Sequence, residues 1–336
     1  MTLKIIDCTL REGSNAINFQ FGRELTKNIL KGLEGAGVKW IEMGHGYGLG
    51  ASSKCNYPSP LTDEEYMDLA KDCLQVAKYG FHFNLKYSKK NDIKISARKG
   101  VHFLRIGAEI NKLNEIREYI NFAKENELLV FISLRKIYTV SSFKEYVKVL
   151  KKLDDWGADL IILLDSAGYM LPEDVKKFIN LGKIEIKTPL GFHAHNNLQL
   201  GIANTIIAIQ SGADSVDACV GGLGRSSGNV PIEILSIILE KYNWGLSLDY
   251  KKLSDLNDKY IFPLIKKENR FSSKNLLCGL TGFHSGNFSL IVEAIKKHPY
   301  IDYRDLVIAI TKKEKIRISE SIIESTVESL LKKHKL

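Results

Sequence analysis

The chain has 336 residues, 44% of them hydrophobic and 26% charged, with 48 Lys plus Arg against 39 Asp plus Glu and a formal charge of +9. That length holds one large domain or two to three smaller ones at roughly 100–200 residues each, and the composition supports a buried core and excludes intrinsic disorder. No apolar run reaches the ~18–20 residues of a membrane span. The opening MTLKIIDCTLREG is too briefly apolar, and too soon broken by Asp7 and Arg11, to read as a signal peptide, so a cytoplasmic globular protein is expected. The basic residues are scattered, as in Lys144–Lys152 and Lys312–Lys315, with no stripe interleaved with aromatics. They point away from nucleic acid and toward a solvated surface with some provision for small anionic substrates. The five cysteines (Cys8, Cys55, Cys73, Cys219, Cys278) are odd in number and contain no C-x-x-C pair, which fits a reducing compartment and excludes a disulfide framework.

In chain order, short apolar runs predict strands at Lys4–Thr9, Trp40–Gly44, Phe81–Lys86, Phe103–Gly107, Leu129–Leu134, Leu160–Asp165, Gly191–His195 and Ser215–Val220. Amphipathic stretches between them, among them Glu24–Gly35, Glu64–Lys78, Leu113–Asn126, Phe143–Trp156 and Leu198–Gly212, predict helices. Eight β-units alternating with helices are the pattern of a closed parallel barrel. The rival, an open doubly wound sheet, usually has a glycine-rich phosphate turn after its first strand, and here that turn is TLREGSN with a single glycine. From about Tyr242–Leu248 onward the βα rhythm stops. The rest reads as helical, at Asp249–Tyr260, Asn287–Lys297, Tyr303–Thr311 and Glu320–Lys333. The expected organisation is a (β/α)8 barrel over residues 1–245 and a C-terminal helical domain over 246–336 that stands alone or covers the barrel mouth.

The predicted strands end in polar residues: Arg11 and Glu12, His45, Arg105, Asp165 and Ser166, His193 and His195, then Asp217. In a parallel barrel these ends share one rim, where active sites are built. The strongest signal is GFHAHNN, Gly191 to Asn197, because residues two apart on a strand face the same way and His193 and His195 therefore project together. Two imidazoles on one face suit a divalent metal. Strand one adjoins strand eight in a closed barrel, so Glu12 can complete a two-histidine, one-carboxylate set. The loop GGLGRSSGN brings Asn229 as a further ligand or substrate donor, and Arg11 offers a planar fork for a carboxylate or enolate.

IIDCTLREG, LLDSAG, GFHAHNN and GGLGRSSGN together resemble the metal-dependent aldolase and acyltransferase superfamily built on a TIM barrel, the HMG-CoA lyase-like enzymes. MGHGYGLGASS (Met43–Ser53) and the stretch from His193 to Glu233 resemble most the 4-hydroxy-2-oxovalerate aldolase branch, and the likeness spans nearly the whole chain. The resemblance implies a divalent cation, manganese first with magnesium, cobalt or zinc as alternatives, bound by Glu12, His193 and His195. It implies that Arg11 steadies the enolate oxygen, that Ser166 and Asn229 help hold substrate, and that pyruvate and an aldehyde form when a 4-hydroxy-2-oxo acid is cleaved. It also implies an acylating aldehyde dehydrogenase as partner and a homo-oligomer.

Three positions depart from that branch: Glu12 stands for an aspartate, Asn15 for a catalytic histidine, and His284, in LTGFHSGN, for a tyrosine. Asn15 cannot serve as a base. An imidazole titrating near pH 6.5 can, so His284 is expected to be the acid/base, with His45 as second candidate. Glu12 and His284 also fit a Claisen-type synthase joining an acyl-CoA to a 2-oxo acid, and Asn15 fits a non-catalytic subunit that has kept the fold. The intact Arg11, Glu12, His193 and His195 set favours the aldolase.

Overall fold

The computed structural model describes residues 3–265 and 272–334. Eight parallel strands close into a barrel in sequence order: β1 (Lys4–Asp7), β2 (Trp40–Met43), β3 (Lys78–Phe83), β4 (Phe103–Ala108), β5 (Leu129–Leu134), β6 (Leu160–Asp165), β7 (Leu190–Ala194) and β8 (Ser215–Ala218). The barrel shuts where β1 pairs with β8 in the register Ile6 to Asp217. Around it run α1 (Arg23–Gly35), α2 (Asp63–Cys73), α3 (Lys90–Arg98), α4 (Arg117–Glu125), α5 (Phe143–Asp155), α6 (Pro172–Glu185), α7 (Gly201–Gln210) and α8 (Ile232–Lys241).

Strand alternation divides the core in two. Outward-facing Ile41, Phe81, Leu104, Ile106, Val130, Ile132 and Phe192 are buried against helices whose apolar residues recur at helical spacing, such as Ile29, Leu30 and Leu33 of α1 or Tyr146, Val149, Leu150 and Leu153 of α5. Inward-facing Ile6, Phe103, Phe131, Leu160, Ile162 and Leu164 form a separate cluster inside the barrel, with Trp40 and Leu129 against it. Phe103 and Phe131 stack at 4.5 Å between ring centroids, and Trp40 lies 5.8 and 5.7 Å from them. Gly80 makes this possible, since a Cβ there would come within 2.4 Å of the Phe103 ring.

The helix expected to run to Lys78 stops at Cys73, and β3 begins three residues earlier than the sequence pattern suggests. The cause lies elsewhere in the chain. The Glu34 carboxylate at the end of α1 accepts the backbone N–H groups of Gln75, Val76 and Ala77, which fixes a turn where the helix would otherwise continue.

After the barrel, α9 (Tyr250–Leu256) packs on α1 and α8, and Leu253, Leu256 and Ile261 join the barrel core. Then α10 (Ser273–Thr281), α11 (Phe288–Lys297), α12 (Tyr303–Lys313) and α13 (Glu320–His334) enclose a second core that includes Leu277, Phe283, Ile291, Leu306, Ile310 and Val327. Polar contacts tie this unit to the barrel mouth. Asn197 Nδ2 donates to Asn275 O (2.9 Å), Tyr138 Oη to Gly282 O (3.2 Å) and Lys136 Nζ to Ile316 O (2.8 Å). No described helix is long and apolar enough to cross a membrane, and the five cysteines form no disulfide.

Candidate active site

The chain leaves β1 through a tight turn in which Cys8 O accepts the backbone N–H groups of Arg11, Glu12 and Gly13. Thr9 Oγ1 accepts Val220 N–H (2.8 Å), which pins this turn to the one after β8. Arg11 and Glu12 are thereby set on the rim beside the end of β7, where the His193 and His195 rings stand 5.0 Å apart. His195 Nε2 lies 3.9 Å from Glu12 Oε1, and all three side chains are buried. Asn229, bridged to His195 by backbone pairing, donates its amide N–H to Glu12 Oε2 and to Leu223 O. Gly224 permits this approach, because a Cβ there would meet Asn229 Nδ2 and Glu12 Oε2.

Several buried atoms of this group have no hydrogen-bond partner: Glu12 Oε1, His193 Nε2, His195 Nδ1 and Asn229 Oδ1. Buried polar atoms are costly to leave unpaired. Two imidazole nitrogens, a carboxylate oxygen and an amide oxygen are a donor set that fits a divalent cation. The protonation states agree with that. Burial opposes charge on Glu12, but His195, Arg225, His193 and Arg11 outweigh it and hold the carboxyl below its usual range. Burial pushes His195 down to about 3, with Glu12 opposing, so its imidazole is neutral and keeps a free lone pair.

Beneath this lies a chain of buried charges that the sequence reading did not assign. His193 Nδ1 hydrogen-bonds Asp217 Oδ2 (2.8 Å), which leaves Nε2 free on the other side of the ring. Asp217 is gripped by both arms of Arg105 (2.6 and 2.8 Å), Arg105 reaches Glu42 (3.1 Å), and Glu42 lies 3.4 Å from Arg11 Nε and 3.6 Å from His82 Nδ1. Burial opposes ionisation of Asp217, but Arg105 and His193 hold its carboxyl far below the usual range. Cys8 Sγ, an imidazole nitrogen of His193 and an Asp217 oxygen also lie within 4.8 Å of one another. That trio is a poorer cation site, because a guanidinium already neutralises the carboxylate and burial pushes the Cys8 thiol up. The signal for this chain was inward-facing charge in the middle of strands, at Glu42 on β2, Arg105 on β4 and Asp217 on β8.

The other expected residues separate. His284, at the turn after α10, comes to the mouth from the C-terminal unit. Its Nε2 faces Arg225 Nη1 at 3.0 Å, and Arg225 Nη2 lies 3.8 Å from Glu12 Oε1. It does not titrate near neutrality as the sequence suggested. Burial first, then the charges of Arg225, Lys136, His195 and Arg135, push it well below 6.5 and keep it neutral. His45 is held in its own loop: Nε2 meets Tyr57 O (2.9 Å), Nδ1 accepts Tyr47 N–H (3.1 Å), and the ring stacks on Phe19 at 4.2 Å. No described contact joins it to Glu12, His193 or His195. Ser166 Oγ accepts the Lys136 N–H (3.0 Å) on the rim, and Asn15 Nδ2 donates to Glu12 O (2.8 Å), which steadies the turn that carries Glu12.

The HMGL-like family model matches residues 92–259, half of the chain. A 4-hydroxy-2-oxovalerate aldolase of Carboxydothermus hydrogenoformans is 31% identical over 335 residues, covering 99% of this chain and 98% of that protein. The chain belongs to the HMGL-like family. A 4-hydroxy-2-oxovalerate aldolase of Acidovorax sp. is 32% identical over 333 residues, covering 97% of this chain and 96% of that one. Among solved structures, the N-terminal domain of a putative aldolase from Bacteroides vulgatus superposes with a TM-score of 0.75 at 24% identity, over 89% of this chain and 97% of that one. The carboxyl transferase domain of Rhizobium etli pyruvate carboxylase with pyruvate gives 0.78 at 15% identity, over 99% of this chain and 61% of that one. At these identities the two structures attest the HMGL-like barrel and its helical continuation as a fold.

Proposed function

We propose that the protein is a divalent-metal-dependent aldolase that cleaves or forms the C3–C4 bond of a 4-hydroxy-2-oxo acid, with pyruvate and an aldehyde as the second set of reactants. The observation that carries this reading is the group of unpaired buried atoms on Glu12, His193, His195 and Asn229 beside the Arg11 guanidinium. The full-length likeness to proteins named 4-hydroxy-2-oxovalerate aldolase supports it over the acyl-CoA synthase alternative. It also weighs against a non-catalytic subunit, since a protein without metal chemistry has little need of that cluster.

Glu12, His193 and His195 hold the cation, with Asn229 adjacent, and manganese is the first candidate ahead of magnesium, cobalt and zinc. When bound, the cation supplies Lewis acidity to the carbonyl and carboxylate of the 2-oxo acid. Asp217, fixed by Arg105, holds His193 in the tautomer that frees Nε2. In the cleavage direction a base takes the C4 hydroxyl proton, the C3–C4 bond breaks, and its electrons move to the C2 oxygen. Arg11 donates to that oxygen as it gains charge. We assign the hydroxyl proton to His284 at the mouth: burial and the charges of Arg225 and Lys136 weaken it as a base, so it takes the proton only once the bound anionic substrate offsets those charges, and C3 is then reprotonated to give pyruvate. Ser166 holds the substrate carboxylate. His45 shapes the β2–α2 loop that borders the site.

The test is pyruvate release from 4-hydroxy-2-oxo acids with Mn²⁺, set beside thiol release from acetyl-CoA with a 2-oxo acid. Pyruvate without thiol is the expected result, and thiol without pyruvate would replace the aldolase with the synthase. We propose residues 1–245 as catalytic barrel and 246–336 as the helical part, of which α9 packs into the barrel core and α10 to α13 enclose the second core, in a cytoplasmic homo-oligomer that hands its aldehyde to an acylating aldehyde dehydrogenase.

A further inference from the structure

The loop after β8, GLGRSSGN, sets Arg225 against one oxygen of Glu12, and the fold anchors it there from two sides. Ser226, the next residue, takes a left-handed backbone (φ 61°) that side chains other than glycine seldom adopt. Its hydroxyl holds it in place by accepting Asn197 Nδ2–H (2.6 Å) and donating to Asn275 Oδ1 (2.8 Å). Asn197 follows His195 by two residues, and Asn275 belongs to α10. The segment that carries Arg225 is thus clamped between the end of the two-histidine strand and the C-terminal unit.

The Arg225 guanidinium finds little to bond in that position. Its Nε is buried without a hydrogen-bond partner. Its Nη1 faces His284 Nε2 at 3.0 Å, but Gly286 N–H approaches Nδ1 of the same ring at 3.2 Å. An imidazole has at most one accepting nitrogen, so only one of these contacts is a hydrogen bond. Its Nη2 stands 3.8 Å from Glu12 Oε1, within ion-pair reach and too far for a hydrogen bond. Glu12 Oε2 already accepts the Asn229 amide, so Oε1 is the oxygen left for a cation. A divalent ion taking Oε1 must approach a fixed guanidinium, and like charges that close repel. The side chain is 33% exposed, which softens the repulsion without removing it. An anionic 2-oxo acid in the site reverses the balance, because it brings acceptors to the idle N–H groups, and a guanidinium fork suits a carboxylate or enolate oxygen.

We propose that Arg225 makes the cation and the 2-oxo acid bind as a coupled pair: alone, its guanidinium holds Glu12 against the cation, and with the oxo acid present it turns its donors to the anion. This rests on the reading of Glu12, His193 and His195 as the ligands of the cation. By linkage, whatever the oxo acid adds to metal affinity the metal adds to oxo-acid affinity.

The experiment strips the full chain of metal with chelator and titrates it with Mn²⁺, following free Mn²⁺ by electron paramagnetic resonance, with and without pyruvate. In the parent, pyruvate is expected to tighten Mn²⁺ binding. In Arg225→Gln, Mn²⁺ alone should bind at least about fivefold tighter than in the parent, and the further gain from pyruvate should shrink at least about fivefold, the low end of coupling between sites. Arg225→Ala is expected to behave as Arg225→Gln does, and it carries the test if the glutamine variant fails to fold. Arg225→Lys keeps the charge and loses the fork, so Mn²⁺ alone should bind close to the parent while part of the gain from pyruvate is lost. The sign separates this role from a structural one, because removing a residue that merely props the loop would loosen the metal. Mn²⁺ affinity that is unchanged or weaker in variants folded by circular dichroism overturns the inference and leaves the cation site standing. A pyruvate effect that is missing in the parent, or undiminished in Arg225→Gln, overturns it as well. No Mn²⁺ binding by the parent, with or without pyruvate, overturns the ligand assignment itself and the inference with it.

Discussion

Two layers of the same barrel interior are built on the same strands and have opposite character. In the lower layer Trp40, Phe103, Phe131, Leu160 and Ile162 pack as an apolar plug. One step toward the strand ends, the next inward positions on β2, β4 and β8 are Glu42, Arg105 and Asp217, buried and charged. The first layer gains from removing apolar surface from water. The second gains little or nothing from burial, because desolvation offsets most of what the ion pairs return. Its worth lies in orientation: Arg105 fixes Asp217, Asp217 fixes His193, and the opposite nitrogen of His193 is left facing the candidate cation site. Stability and chemistry are thus separated by one strand repeat.

The substitution with the largest expected effect strikes the upper layer alone. His195→Ala should abolish metal retention and pyruvate release while leaving the plug intact, and metal content after dialysis checks it. A purified variant that held as much metal as its parent would end the ligand assignment. Phe103→Ala should do the converse. It removes a fully buried ring from the aromatic stack and should cost about 3–5 kcal/mol in denaturant unfolding, with metal affinity of the folded fraction unchanged. If metal affinity fell with stability, the two layers would be one unit.

Asp217→Asn tests the link between them. The amide can still meet His193, but it no longer holds the imidazole as a carboxylate does, and Glu42 is then the one carboxylate left to Arg105 among the partners described. Metal affinity should fall roughly 10–100-fold, as for other carboxylate partners of ligating histidines, together with a loss of stability. Phe131→Ala, matched to it in stability, is the control. Equal metal affinity in the two variants would show Asp217 to be structural only.

The same contrast explains what the sequence disclosed. Barrel strands are buried on both faces and read as short apolar runs, so Leu129–Leu134 and Leu160–Asp165 coincide with β5 and β6, and the other strands except β3 agree within about two residues at either end. His193 and His195 were legible through strand alternation, being two apart on one strand. What escaped depends on contacts between distant segments. The turn before β3 is fixed by Glu34, some forty positions away, and no local pattern foretells it. Arg105 and Asp217 read singly as strand-end polar residues, Glu42 was not singled out, and only the closed barrel makes the three a chain. The low proton affinity of His284 comes first from its burial at the mouth and then from Arg225 beside it, and neither shows in the local sequence. The α10 helix, Ser273–Thr281, was not anticipated, because its Gly279 and Thr281 lower its helical signal and its apolar face is completed by α12.

The smallest effect expected concerns a buried acid that faces outward, away from both interior layers. Asp7 accepts the backbone N–H and the hydroxyl of Thr9, and burial, against those two bonds and with help from the charges of Glu233 and Asp217, raises its carboxyl to about 7. The unfolded chain releases this proton near ~3.9. Between those values the folded state holds a proton that the unfolded state has lost, so this group's contribution is complete below ~4 and declines as pH rises toward 7. His195 runs the other way, since its depressed value makes the fold lose stability as pH falls from about 6.5 toward 3. Asp7→Asn keeps an acceptor for Thr9 and removes the proton. Unfolding measured with chelator present should therefore show a smaller loss, or a larger gain, of stability from pH 4.5 to 7 in the variant than in the parent. An unchanged pH slope would mean that Asp7 is ionised throughout. The carboxylate would then have to be stabilised by the same turn that presents Arg11 and Glu12, and that turn would belong with the charged layer instead of standing outside it.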